Sequence, residues 1–133
     1  MPEEAPEGAP GAEAEVVVTV TDLAARFSGR TIFEHVSFEV RRGEVFVILG
    51  GSGCGKSTLL KHMIGLYPPA EGRVEIMGEH VAALAGAARR ALLRRIGVMW
   101  QSGALFGSLT LAENVGVPLE EHTALLPEAR ALV

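Results

Sequence analysis

The chain has 133 residues, enough for one domain of ordinary size and too few for two. Hydrophobic residues make up 48%, a folded composition rather than a disordered one. The formal charge of −4 comes from the N-terminus: residues 1–15 hold Glu3, Glu4, Glu7, Glu13 and Glu15 and no Lys or Arg, and the rest has 11 acidic and 12 basic residues, a net of +1. A body so close to neutral lacks the broad basic field that binds nucleic acid. Cys54 is the only cysteine, so no internal disulfide can form, which fits a reducing compartment. The acidic N-terminus does not have the basic-then-apolar pattern of a secretory signal. The longest apolar run near the middle, Val45 to Leu49, falls far short of the ~20 residues that cross a bilayer. Any membrane role is therefore expected to come through a partner.

Residues 1–15, rich in Pro, Glu, Ala and Gly without periodicity, are expected to be a disordered tail. Val16 to Val20 is β-branched and predicts a strand, and Ser28-Gly29-Arg30 signals a turn. Val36, Phe38 and Val40 alternate with Ser37 and Glu39, the pattern of a half-exposed strand. After the turn Arg41-Arg42-Gly43-Glu44, the run Val45-Phe46-Val47-Ile48-Leu49 is apolar throughout, which suits a strand covered on both faces in a parallel sheet. Lys56 to Ile64 predicts a helix with Leu59, Leu60, Met63 and Ile64 on one stripe, ended by Gly65 and Pro68-Pro69. Arg73 to Ile76 reads as a short strand, Ala87 to Ile96 as a helix, Gly97 to Trp100 as a second buried strand, and Ala124 to Val133 as the start of another helix. Strands alternating with helices predict an α/β fold with a largely parallel sheet.

Between the apolar run and the first helix lies Gly50-Gly51-Ser52-Gly53-Cys54-Gly55-Lys56-Ser57, and Thr58 comes next. The spacing is glycine, four residues, glycine, lysine and a hydroxyl residue, the phosphate-binding P-loop pattern. Glycines let the backbone approach phosphates with no Cβ in the way. Successive N–H groups can then converge into an anion-binding nest. The helix start adds free N–H groups and the positive end of its dipole. Lys56 supplies a full charge to the outer phosphates and Ser57 a hydroxyl for Mg2+. The strand before and the helix after are the context in which the pattern carries meaning, and they point to ATP with Mg2+.

Other candidates carry less. Cys54 reads as filling a tolerant loop position and contributing its backbone N–H, with a reactive thiolate as the other reading. His35, His62, His80 and His122 have no metal-ligand spacing and read as surface or core histidines. Arg89, Arg90, Arg94 and Arg95 read as a solvated helix face, with a membrane or protein contact as the other reading. Phe27 or Phe33 can stack on adenine or serve as plain core. Gln101 comes after the expected strand at Trp100, where an amide at a sheet's carboxyl edge can ligate Mg2+ or orient water; a turn-forming glutamine would look the same.

Together these residues resemble the ATP-binding subunit of an ABC transporter. The run GEVFVILGGSGCGKSTLLKHMIGLYPPAEGRVEIMGE resembles that family's first nucleotide-binding segment, and MWQSGALFGSLTLAENVGVPL resembles its glutamine loop with the adjoining C-terminal stretch. QSGALFGSLTLAENVGVPLEEHT is similar to the Mla-type branch, which moves phospholipids between bacterial envelope membranes and is related to organic-solvent-tolerance importers. The resemblance implies the α/β, three-layer P-loop NTPase fold of the ABC ATPase type, with residues 16–133 as its N-terminal portion. It implies that Gly50 to Thr58 hold ATP, that Gln101 touches Mg2+ and senses the outer phosphate, and that Phe27 stands where the family has its adenine-stacking aromatic. It also implies a permease contact near Ser102–Pro118, with Phe106 and Leu109 as contacts, a second ATP-binding subunit, and a peripheral place on the cytoplasmic face of the inner membrane. The family's signature motif, its aspartate strand ending in a catalytic glutamate and its switch histidine have no counterpart among the 133 residues. The chain by itself is therefore expected to be aggregation-prone and to turn over little ATP. The competing readings are a soluble ABC-type ATPase, a P-loop kinase or GTPase, and a non-catalytic nucleotide-binding fragment.

Overall fold

The computed structural model describes residues 14–124. The expected tail up to residue 13 and the helix expected from Ala124 to Val133 lie outside the described residues, apart from Ala124 itself. The described residues fall into two compact units, 14–89 and 90–124.

The first unit is built on a four-stranded sheet in the order β2-β1-β3-β4: β1 (Val16–Phe27), β2 (Arg30–Arg41), β3 (Glu71–Ile76) and β4 (Glu79–His80). All three pairings are antiparallel. Tight turns explain two of them. β1 and β2 are joined only by Ser28 and Gly29, both at positive φ (49° and 78°), and β3 and β4 by Met77 and Gly78 (52° and 78°). A two-residue connection with positive φ at both positions permits only a hairpin. Ala14 and Glu15 belong to the margin of this sheet rather than to a tail: Arg42 N–H donates to the Glu15 carbonyl at 2.8 Å, and the two side chains pair at 2.8 Å.

β1 is the central strand and carries much of the core: Val20, Leu23, Ala24 and Ala25 are buried, with Val74 and Ile76 from β3, Val81 beyond β4, and Leu59 and Ile64 from the helix side. Its register shifts between Val20 and Leu23, at a bulge where Asp22 has φ 46°. The bulge is held by the Asp22 N–H donating to Ser37 Oγ and by the Asp22 carboxylate at 2.8 Å from His35 Nδ1. Gly72 passes against it at φ 79°; a Cβ there would collide with the Thr21 and Asp22 carbonyl oxygens, so only glycine fits.

Three α-helices and one 3-10 turn (Val81–Ala83) complete the described chain; the α-helices are α1 (Lys56–Met63), α2 (Gly86–Leu93) and α3 (Leu111–His122). α1 and α2 fall where the apolar spacing predicts them. α3 is not anticipated by the apolar spacing, although Thr110 and Glu113 form a capping box at its start.

Two sequence expectations fail here. Val45–Leu49 and Gly97–Trp100 are not strands, and the sheet is antiparallel rather than largely parallel. A strand persists only where its N–H and C=O groups find a neighbouring strand, and neither segment has one among the described residues. Val45, Leu49 and Met99 are accordingly 88%, 87% and 94% exposed. Only Phe46 finds a ring partner, stacked on Phe38 at 4.8 Å.

Two measurements test this account of the bulge. Gly72→Ala is expected to destabilise the fold by more than about 1 kcal/mol in urea unfolding, because the native φ suits glycine alone. The Asp22 carboxylate, first by its hydrogen bond and then by its charge, raises the pKa of His35 above its ordinary value. This contribution to stability is fully present below about pH 6.5 and is lost as pH rises through the folded-state value. Asp22→Asn, which keeps a side chain tolerant of positive φ, is expected to return the His35 titration, monitored by NMR, to the ordinary range; an unchanged titration would contradict the pairing.

Candidate functional site

The loop Gly50–Gly55 runs from the exposed apolar segment into α1. Cys54 N–H donates back to the Gly51 carbonyl at 3.4 Å, and Gly53 and Gly55 both sit at positive φ, 79° and 99°. Gly55 is the residue before the first helical turn. It is glycine for a second reason: a Cβ would lie 2.9 Å from Ile32 Cγ2 and 3.2 Å from Phe33 Cδ1 of β2. The sheet thus sets the depth at which the helix begins.

The first intrahelical bond runs from Leu59 N–H to the Gly55 carbonyl at 2.8 Å. The N–H groups of Lys56, Ser57 and Thr58 therefore have no helical acceptor four residues back. No side chain caps them, and no acidic residue stands in the first turn. Three amides and the positive end of the dipole point out of the helix start. Lys56 adds its ammonium at the same place, folded back to donate to the carbonyls of Gly50 at 2.6 Å and Gly51 at 2.7 Å, with Cys54 Sγ 3.6 Å away. Leu59, buried one turn on, anchors the helix to the core.

This donor set fits a polyphosphate: a cation and uncapped amides around one loop, with no carboxylate in it. It also fits Mg2+, which takes oxygen ligands: the Ser57 hydroxyl is exposed and makes no hydrogen bond among the described residues. Beside the loop lies a groove of 390 Å³, but apart from Lys56, Cys54 and Ser37 its walls are apolar, Phe33, Phe38, Phe46 and Leu49 among them. It is not the phosphate cradle.

Phe27, at the end of β1, is 42% exposed and meets Tyr67 edge-on at 5.4 Å and His62 at 6.2 Å. Gln101 is exposed in the turn after Trp100, in the second unit. In that unit Asn114 of α3 ties down the preceding loop: its Nδ2 donates to the carbonyls of Phe106, Leu109 and Thr110, and its Oδ1 accepts from Phe106 N–H at 2.8 Å. The Thr110 backbone and hydroxyl donate to the Glu113 carboxylate and hold its pKa below the usual range. Phe106, Leu111 and Val115 stay exposed around this staple. Arg89, expected on a solvated face, instead donates to the Gly65 carbonyl at 2.6 Å. His62 proves to be a core histidine next to the site. Its position four residues after Thr58 on one helix face is the sequence signal that places it there.

A glycine loop that opens a helix with uncapped amides and a lysine at its first position has the form of the phosphate-binding loop of P-loop nucleotide-binding proteins. The ABC transporter family pattern matches residues 33–132, and the chain belongs to that family. It is 44% identical over 106 residues to the phosphate-import ATP-binding protein PhnC of Mycolicibacterium smegmatis, covering 80% of this chain and 40% of that protein. It is 36% identical over 109 residues to the intermembrane phospholipid transport system ATP-binding protein MlaF of Escherichia coli K12, covering 82% of this chain and 40% of that one. Among solved structures, the ATP-binding subunit of an ABC transporter superposes with a TM-score of 0.69 at 30% identity, covering 84% of this chain and 45% of the other. The fold is that of the ABC-type P-loop ATPases, and the chain spans less than half the length of each of these relatives.

Proposed function

We propose that the chain holds Mg-ATP at Gly50–Thr58 as the nucleotide-binding part of an ABC transporter's energising subunit. The observation that carries this is the set of uncapped amides of Lys56, Ser57 and Thr58, together with the Lys56 ammonium held against the Gly50 and Gly51 carbonyls of the same loop. In this reading Gly50, Gly51, Ser52, Gly53, Cys54 and Gly55 wrap the phosphates with backbone groups. Lys56 exchanges its loop carbonyls for the outer phosphate oxygens, and the amides from Lys56 to Thr58 complete the cradle. The Ser57 hydroxyl is a metal ligand, and Phe27 stacks on the base.

The segment Ser102–Pro118 is the docking surface for a membrane permease. The supporting features are its exposed apolar side chains, Phe106 at 58% among them, and the Asn114 staple that fixes the backbone presenting them. Among the described residues no helix is long and apolar enough to cross a membrane, so in this reading the permease carries the membrane-spanning part and the subunit sits peripherally on the cytoplasmic face, paired with a second ATP-binding subunit. The cargo is a phospholipid. That reading rests on the similarity of residues 101–123 to the Mla-type branch and on the MlaF relative. The relative PhnC, at 44% identity, favours a second reading in which the cargo is a phosphate-type anion. The two separate on which cargo stimulates ATP turnover in a reconstituted transporter.

The chain on its own binds ATP without appreciable turnover. Hydrolysis needs a positioned water as well as held phosphates, and no signature run or Asp-Glu strand end occurs in the 133 residues. The exposed Val45–Leu49 segment favours self-association of the isolated chain.

Lys56→Ala tests the site. Removing the ammonium leaves the helix start intact, so circular dichroism is expected to be unchanged. Calorimetric affinity for Mg-ATP is expected to fall about tenfold to a hundredfold, the scale of a charge-assisted hydrogen bond. An unchanged affinity in a folded mutant would contradict the assignment.

A further inference from the structure

We infer that His62 is a positioning residue for nucleobase recognition: it fixes the ring of Phe27 and ties that ring to the phosphate loop. The inference rests on the nucleotide reading of the loop and of Phe27, and adds to it the residue that holds the stacking ring in place.

His62 is the one buried polar or charged residue of the described chain, 3% exposed. A polar ring in such a place is costly unless it is hydrogen-bonded. Its Nδ1 lies 2.8 Å from the carbonyl of Thr58, one helical turn back. A carbonyl only accepts, so Nδ1 carries the proton, and the bond fixes both the tautomer and the ring plane. Thr58 is the last residue of the phosphate loop, and its own N–H is one of the three uncapped amides.

Around this fixed ring stand three others. Phe33, Tyr67 and Phe27 meet His62 at 5.8, 5.7 and 6.2 Å, with interplanar angles of 74°, 72° and 67°. Tyr67 also meets Phe27, at 73°. Every contact is edge-to-face, the arrangement that ring quadrupoles favour. Such contacts restrain Phe27 through two neighbouring rings, neither stacked on its face, and its 42% exposure leaves ring surface for a planar ligand. Phe33 contributes a second link to the loop, because it is one of the residues against which Gly55 packs.

The spacing along α1 is appropriate. Six residues separate Lys56 from His62, about 9 Å along a helix axis, comparable with the span of a nucleotide from its middle phosphate to its base. One short helix therefore sets both ends of the site, the amides at its start and the aromatic rim one and a half turns on. The ligand class is a nucleobase in general, since stacking on an aromatic face tolerates every base.

The test compares Mg-ATP with Mg-tripolyphosphate, by calorimetry, on the full 133-residue chain and its variants. His62→Asn keeps a donor where Nδ1 stands but removes the ring; His62→Phe keeps a ring edge but removes the donor. The wild-type chain is expected to prefer ATP. His62→Asn should lose about tenfold in ATP affinity, the size of one base–aromatic stack, with tripolyphosphate affinity unchanged, and His62→Phe should lose less. The ratio of the two affinities is read within each variant, so a partly unfolded preparation does not disturb it. An unchanged ratio in His62→Asn, or an equal fall for both ligands, would overturn the role assigned to His62 while leaving the phosphate site standing. A wild-type chain that binds neither ligand would overturn the nucleotide reading and this inference with it.

Discussion

Three backbone N–H groups at the start of one helix, those of Lys56, Ser57 and Thr58, have no helical partner and no side-chain cap. Helix starts are commonly satisfied by a Ser, Thr, Asp or Asn side chain, and the loss of such a cap costs about 1 kcal/mol. α3 shows the ordinary solution in the same chain, with Thr110 and Glu113 closing its first turn reciprocally. α1 instead begins at a glycine in the left-handed region, and the Lys56 ammonium beside it is aimed at the loop's carbonyls. The contrast between the two helix starts is the physical core of the structure: one is closed within the chain, the other is left ready for an anion.

The sheet makes that opening possible. Gly55 lies against Ile32 and Phe33 of β2, so the loop can descend only as far as the strand allows. β2 is held to β1 by a hairpin turn, a bulge and the Asp22–His35 pair. Leu59 and His62 then fasten α1 from the buried side, one by apolar burial and the other by a hydrogen bond to Thr58. The antiparallel sheet therefore acts as a platform for the helix start. The apolar approach to the loop, Val45–Leu49, takes no part in the sheet.

Local patterns are legible in the sequence wherever the determinants are local. The loop spacing, the α1 stripe, the β-branched start of β1 and the alternation in β2 all lie where the sequence places them. The direction of strand pairing is not legible from alternation. For β1–β2 and β3–β4 it is written in Ser28-Gly29 and Met77-Gly78, whose two-residue length demands hairpins; for β1–β3, joined through β2 and α1, no turn announces it. Val45–Leu49 reads as a strand because of its composition, but composition cannot supply a pairing partner. α3 is hidden by Gly116 and Pro118 inside it, although Thr110-x-x-Glu113 marks its start. The spacing of His62 from Thr58 marks its helix face, but metal-ligand spacing says nothing of the rings around it. The rings that meet it, Phe27, Phe33 and Tyr67, are spread along the sequence and converge only in the fold.

The central claim is that backbone amides at the junction of loop and helix receive a polyphosphate. It is tested most directly by recording backbone amide resonances of the folded chain by NMR as Mg-ATP is added. The account predicts that the largest shifts fall on the amides from Gly53 to Thr58, with Lys56, Ser57 and Thr58 moving toward the positions of strongly hydrogen-bonded groups. Binding of ATP that leaves those amides unmoved, or moves chiefly residues elsewhere, would contradict it.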